Sequence, residues 1–215
     1  MNNIISNFEN IKSIVNNSNV NIIAVSKTFS LDHIKPLIDH GHAHFGENKI
    51  QEASVKWGQI KKENKLLKLH MIGNLQSNKA KKCLELFDYV HSLDNEKLAN
   101  VLAKCERDST KKISYFIQVN LGNESQKSGI SSNLLDDFFY YCTKDLKLNV
   151  IGLMAIPPND FEAIKYFKHL SELNKSLGLK DLSIGMSSDY KEALNFNTTF
   201  VRIGSSIFGE RKSTL

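Results

Sequence analysis

Apolar residues along this chain switch repeatedly between two periods. Ile4, Ile5, Phe8, Ile11, Ile14 and Val15 recur at three- and four-residue spacing, which predicts an amphipathic helix. Asn16-Asn17-Ser18-Asn19 breaks that pattern, and the run from Ile22 to Ser26 reads as a short buried strand ending at Lys27. A helix follows over 31–40, with Ser30 as its N-cap and Gly41 as its stop. The succession continues with strand 42–46, helix 47–62, strand 66–72, a helix from Ser77, strand 87–92 and helix 95–107. Residues 113–120 give the clearest strand, because Ile113, Tyr115, Phe116, Ile117 and Val119 are all strand formers. Helix 133–144, strand 148–154, helix 161–177, strand 181–186, helix 189–196, strand 199–203 and a helix from Ser205 complete the chain.

Eight strand–helix units after one extra N-terminal helix imply an α/β fold with a parallel sheet. A single closed (β/α)8 barrel of the TIM type, spanning 1–215 as one domain, is the natural architecture; a doubly wound open sheet is the alternative. Function in such a barrel gathers at the C-terminal ends of the strands. The residues expected there are Lys27, Gly46-Glu47-Asn48, Gly73-Asn74, His91-Ser92, Asn120, Met154, Gly185-Met186-Ser187-Ser188 and Gly204-Ser205-Ser206. Loops after strands are polar in any protein, which accounts for the asparagines. It accounts less well for Lys27 and Arg202.

Composition narrows the classes. Hydrophobic residues make up 41% and charged residues 24%, ordinary for a soluble globular protein. The net charge of +5 comes from scattered lysines, with no concentrated stripe for nucleic acid. Three cysteines at wide spacing suggest neither a disulfide framework nor a zinc site, and so a reducing compartment. Residues 1–10 carry no apolar signal core, and no apolar run approaches membrane-spanning length. A cytoplasmic protein without a membrane partner is expected.

Two residues carry the chemistry. Lys27 sits at the mouth of an apolar strand, where low polarity favours the neutral, nucleophilic amine. It could hold an aldehyde as a Schiff base, or it could be a surface lysine past a strand end. Strand alternation puts Phe200, Arg202 and Gly204 on one face and Val201 and Ile203 on the other. With Val201 and Ile203 toward the helices, Arg202 points into the barrel and needs a partner. That partner is either an internal carboxylate or a ligand. Gly204-Ser205-Ser206 opens a helix, and Gly185-Met186-Ser187-Ser188-Asp189 forms a second hydroxyl-rich turn. Loops at these positions are the usual phosphate site of this barrel, though both turns could equally be ordinary helix caps.

An amine, an inward arginine and a phosphate cradle at one mouth suit pyridoxal 5′-phosphate. The segments Ala24-Val25-Ser26-Lys27, Phe45-Gly46-Glu47-Asn48-Lys49-Ile50-Gln51-Glu52, His70-Met71-Ile72-Gly73-Asn74-Leu75-Gln76-Ser77-Asn78-Lys79, Gly152-Leu153-Met154, Gly185-Met186-Ser187-Ser188-Asp189 and Val201-Arg202-Ile203-Gly204-Ser205-Ser206-Ile207-Phe208-Gly209 resemble the pyridoxal phosphate homeostasis protein family. They occur in the family's order across nearly the whole chain. The resemblance implies a barrel similar to the N-terminal domain of alanine racemase, a fold-type III cofactor protein. It implies Lys27 as the Schiff-base lysine and Arg202 as partner of the pyridine nitrogen. Ser187, Gly204 and Ser205 would hold the phosphate, with Asn48 near the ring. Two segments depart from the family pattern: Asn197-Thr198-Thr199 stands where Gly-Ser/Thr is common, and Gly209-Glu210-Arg211 where Gly-Ala-Arg is usual.

The resemblance implies a monomeric cofactor carrier acting in intracellular pyridoxal phosphate homeostasis, without established catalysis, handing cofactor to pyridoxal phosphate-dependent apo-enzymes. An always-charged arginine beside the ring nitrogen makes the ring a weak electron sink. The rivals are a racemase-like fold-type III enzyme and a cofactor-free Schiff-base aldolase using the same lysine. His40, His42 and His44 alternate, as metal ligands can, but no nearby cysteine completes a site and no metal is expected. Trp57 and the cluster Phe138-Phe139-Tyr140-Tyr141 are expected to pack helices on the barrel.

Overall fold

A computed structural model describes residues 3–15, 19–109, 111–122, 128–158 and 162–210. In chain order the elements are α1 (Asn3–Val15), β1 (Asn21–Val25), α2 (Leu31–Asp39), β2 (His44–Glu47), α3 (Ile50–Trp57), α4 (Ile60–Glu63), β3 (Lys68–Met71), α5 (Ala80–Leu86), β4 (Tyr89–Leu93), α6 (Glu96–Ser109), β5 (Ser114–Asn120), β6 (Ile130–Ser131), α7 (Leu135–Tyr140), β7 (Val150–Met154), α8 (Ala163–Ser176), β8 (Asp181–Met186), α9 (Tyr190–Ala193), β9 (Phe200–Ile203) and α10 (Ser205–Phe208). Every strand pairing is parallel. The order β4-β3-β2-β1-β9-β8-β7-β5 closes through a β4–β5 pairing, so eight strands form a barrel, with the two-residue β6 added beside β5.

The expected barrel is therefore the observed one, and the open sheet is excluded by the closure. The helix expected over 47–62 is the clearest boundary error. Glu47 ends β2, and the helical stretch divides into α3 and α4 around Gly58. The helix expected over 133–144 is a 3-10 turn, α7 and a π-helical turn at Tyr141–Asp145. Phe161 and residues 16–18, part of the expected break after the first helix, lie outside the described residues. Ser30 caps α2 as expected, accepting from the His33 N–H at 3.4 Å. Asn197 stands where a glycine is common and takes the left-handed conformation, φ 55°, ψ 30°, which asparagine tolerates better than most residues.

Period-2 alternation sorts each strand. Ile22 and Ala24 of β1, Phe45 of β2, Leu69 and Met71 of β3, and Val201 and Ile203 of β9 pack with the helices in one continuous core. Ile23, Phe116, Met154 and Phe200 face inward and form a small apolar cluster in the lumen. Trp57 is fully buried in the outer layer as expected, whereas Tyr140 of the aromatic cluster is 61% exposed and packs little.

Candidate functional site

At the C-terminal mouth lies a cavity of about 330 Å³ lined by Val25, Lys27, Asn48, Ile72, Ile156, Met186, Ser187, Ser188, Arg202, Gly204 and Ser205. All six residues that the sequence singled out, Lys27, Asn48, Ser187, Arg202, Gly204 and Ser205, meet there. They arrive from the ends of β1, β2, β8 and β9. A larger hollow of about 560 Å³ lies against Lys61, Asp88 and Lys111, away from these strand ends.

The backbone on either side of Lys27 is held from outside the barrel. Lys56 donates to the Ser26 carbonyl at 2.8 Å and to Glu47 Oε1 at 2.9 Å. The same Glu47 oxygen accepts from Ser26 Oγ at 2.7 Å and Trp57 Nε1 at 2.9 Å. Glu52 accepts from the Thr28 N–H and from Lys56. Thr28 itself has φ 69°, an unusual conformation for a β-branched residue, directly after the lysine. Strain of this kind costs on the order of 1–3 kcal/mol and persists where the surroundings over-determine it.

Arg202 points into the barrel, as alternation requires, and is buried. Among the described residues its hydrogen-bond partners include no carboxylate, which corrects one of the two expected readings. Nη1 donates to the Ser183 carbonyl at 2.6 Å and to Ser183 Oγ at 2.8 Å, and Nη2 donates to the Ala155 carbonyl at 2.9 Å. Burial lowers its pKa to about 10, opposed by the charge of Asp189, so the guanidinium is charged at neutral pH. An arginine has five N–H donors, and these bonds use three.

At the third corner Ser187 Oγ accepts from the N–H groups of Gly204 at 3.3 Å and Ser206 at 3.5 Å. A Cβ at Gly204 would find its nearest atoms at 3.4 Å, ordinary contact, so the glycine widens the cavity without relieving a clash. Gly73 is different. A Cβ there would come within 2.4 Å of the Asn48 carbonyl, so only glycine lets the Asn48 backbone sit where it does. Asn48 Oδ1 is buried with no hydrogen-bond partner among the described residues. A buried unsatisfied acceptor is uncommon and fits a ligand that brings a donor.

Among the histidines, His91 departs from its expected place. His40 pairs with Glu9 at 2.8 Å and His42 Nε2 meets the His44 carbonyl at 2.8 Å. His91 was expected at a strand end but lies mid-strand in β4, buried in the lumen and hydrogen-bonded to His70 and Ser183. The sequence reading missed His70 and Ser183 as supports of Arg202. The signal was strand parity, which places Lys68, His70 and Ile72 on one face of the third strand, as it does Arg202 in the last.

Residues 1–212 match the alanine racemase N-terminal domain family. The chain is 38% identical over 204 residues to the pyridoxal phosphate homeostasis protein of Vibrio cholerae, covering 90% of this chain and 86% of that protein. It is 35% identical over 201 residues to the protein of that name from Escherichia coli, covering 89% and 86%. PipY of Synechococcus elongatus, solved with pyridoxal phosphate bound, superimposes with a TM-score of 0.88 at 30% identity, covering 96% of this chain and all of that one. Alanine racemase of Clostridium difficile shares the fold, at a TM-score of 0.78 and 13% identity, with 58% of its chain covered. The chain thus belongs to the alanine racemase N-terminal domain family, and within it to the pyridoxal phosphate homeostasis proteins. Among the described residues no helix is long and apolar enough to cross a membrane.

Proposed function

We propose that residues 1–215 act as one barrel domain that binds pyridoxal 5′-phosphate and serves its intracellular homeostasis as a carrier in the cytoplasm. The observation that carries this reading is the convergence of Lys27, Arg202, Ser187, Ser205 and the unsatisfied Asn48 Oδ1 on one cavity. When bound, the cofactor supplies an aldehyde that an amine captures with loss of water. Lys27 is the amine at the mouth. Arg202 offers its remaining N–H groups to the ring nitrogen. Ser187, Ser205 and the Gly204 backbone receive the phosphate, and Asn48 meets a donor on the ring edge.

The same lining argues for holding over turnover. Lys27 and Arg202 are the only titratable side chains among the described residues lining the cavity, so among those residues no second base faces the lysine. A charged arginine also favours an unprotonated ring nitrogen, which withdraws electrons weakly. The protein is read as a monomer that passes cofactor to apo-enzymes.

Spectroscopy and peptide mapping test the reading. The purified protein should absorb as a pyridoxal phosphate adduct, bleach with borohydride and carry the reduced label on Lys27. Lys27→Ala should lose the label and keep its fold. A label unchanged in Lys27→Ala would remove the assignment.

A further inference from the structure

Barrel lumens of this kind are ordinarily filled by branched aliphatic side chains. Here three imidazoles run through the lumen in single file. His44 Nδ1 lies 3.0 Å from His70 Nε2, His70 Nδ1 lies 2.9 Å from His91 Nε2, and His91 Nδ1 lies 2.9 Å from Ser183 Oγ. Arg202 Nη1 meets that same hydroxyl at 2.8 Å. The column starts at the first residue of β2, on the N-terminal face, and ends at an arginine lining the cavity on the C-terminal face. Aromatic rings flank it. His70 stacks on Tyr89 at 4.3 Å and 4°, His91 stacks on Phe116 at 4.3 Å and 16°, and Phe200 meets His91 edge-on.

Keeping the Ser183 hydroxyl proton hydrogen-bonded inside the lumen sets the tautomers. Arginine only donates, so Ser183 Oγ accepts from it. The Ser183 hydroxyl proton then goes to His91 Nδ1, the remaining polar contact of that hydroxyl among the described residues. His91 is accordingly the Nε2–H form. It donates to His70 Nδ1, and His70 Nε2–H donates to His44 Nδ1. Burial pushes His70 and His91 well below the usual imidazole range, aided by neighbouring imidazoles and Lys61 at His70 and by Arg202 at His91. Both stay neutral. His44 is only half-buried, and burial and Lys68 lower its pKa while Asp88 opposes them.

Resting on the reading of the cavity as a pyridoxal phosphate seat, we propose that His44, His70 and His91 are positioning residues for Arg202, and that they tie the hold on the ligand's ring nitrogen to the charge of His44 at the opposite mouth. A proton from solvent on His44 makes both of its ring nitrogens donors. His70 Nε2–H then has no acceptor. The His44–His70 bond is lost, or the column reverses: His44 and His70 donate from Nδ1, and His91 Nδ1–H donates to Ser183 Oγ. Three ring protons become four, the fourth being the one taken from solvent. Ser183 must then accept from His91 and Arg202 together and turn its own proton elsewhere. Arg202 then shares the Ser183 hydroxyl oxygen with His91, and its aim rests more on the Ser183 and Ala155 carbonyls. The charged and titratable groups around the column are Lys68, Asp88 and His42 beside His44, Lys61 and Tyr89 beside His70, and Arg202 beside His91. Lys61 and Asp88 form an ion pair, and burial holds His42 neutral with a pKa of about 4.

The test compares the full chain with His44→Gln, a substitution far from the cavity. Pyridoxal phosphate affinity is measured by absorbance titration from pH 8 to pH 5. The ligand's own titrations are common to both proteins and cancel in the comparison. Whatever the affinity of each at pH 8, the parent should lose about tenfold more affinity than His44→Gln on acidification, the equivalent of one pKa unit of coupling. Superimposable profiles overturn the proposal. No binding by the folded parent at any pH overturns the site reading itself, which is a different result. ¹⁵N NMR of the imidazoles in the unliganded parent is independent of both. Three neutral Nε2–H rings are expected at pH 8, and an Nδ1–H ring at any of the three positions overturns the column.

Discussion

Behind Lys27, on the outer side of β1 and β2, a buried Glu47 carboxylate and the Lys56 ammonium meet at 2.9 Å, with Trp57 and Ser26 on the same oxygen. Behind Arg202, inside the barrel, the supports are neutral: a serine hydroxyl, two backbone carbonyls and a line of imidazoles. The two networks hold two residues that line one cavity. Full charges in a dry site lock geometry, because neither partner can be left alone. Neutral hydrogen-bonded rings hold geometry too, but they have two polarities, and a proton selects between them. In the proposed seat the lysine end is thus fixed, and the arginine end is adjustable.

Stability should separate the networks first. Glu47→Ala removes the buried carboxylate shared by Lys56, Trp57 and Ser26, leaving Lys56 with Glu52 at 3.3 Å, and should cost about 3–5 kcal/mol in urea unfolding. His91→Phe leaves one hydroxyl and one imidazole unsatisfied and should cost about 1–3 kcal/mol. Equal losses would erase the distinction between a charged clamp and a neutral column.

Affinity sharpens the picture at the phosphate end, which neither network touches. Ser205→Ala should weaken pyridoxal phosphate by about 1.5–3 kcal/mol, the value of a hydrogen bond to a charged acceptor, with little effect on pyridoxal. Ser187→Ala should lose less, because the Ser187 oxygen already occupies the Gly204 and Ser206 N–H groups that an incoming anion would use. Equal losses for both vitamers in competition titrations would take these serines out of the phosphate site.

The smallest effect belongs to Thr28. Thr28→Gly relieves the positive φ but adds freedom to the unfolded chain, for a net gain of up to about 1 kcal/mol. That corresponds to a rise in Tm of roughly 2–4 °C. A fall in Tm would mean that Glu52 and Lys56 fully offset the strain.

Barrel closure and the inward direction of Arg202 were legible because period-2 alternation and unit count are properties of sequence alone. So was the meeting of Lys27 with Ser187 and Ser205, since the fold puts all strand ends at one mouth. What supports Arg202 was not legible. Ser183 lies 19 residues before it and Ala155 lies 47 before it, and their contact depends on the β8–β9 register, which shifts between Ser183 and Met186. The histidine column was hidden for a similar reason. His44, His70 and His91 looked like a possible metal ligand, part of a motif and a strand-end residue until three strands set their rings in line. Glu47 was placed at the start of the helix over 47–62, whereas it is the last residue of β2, buried beside Lys56.

Ser187 has a kinetic consequence. Its hydroxyl rests on the Gly204 and Ser206 N–H groups, so in the proposed role an arriving phosphate must displace an internal competitor. The exchange runs backwards just as readily. As the anion begins to leave, the serine oxygen can return and satisfy the donors before solvent reaches them. The barrier to departure is lowered along with the depth of the well. An enzyme that keeps its cofactor through many turnovers gains nothing from such a rival, but a protein that must hand the cofactor on gains a faster off-rate.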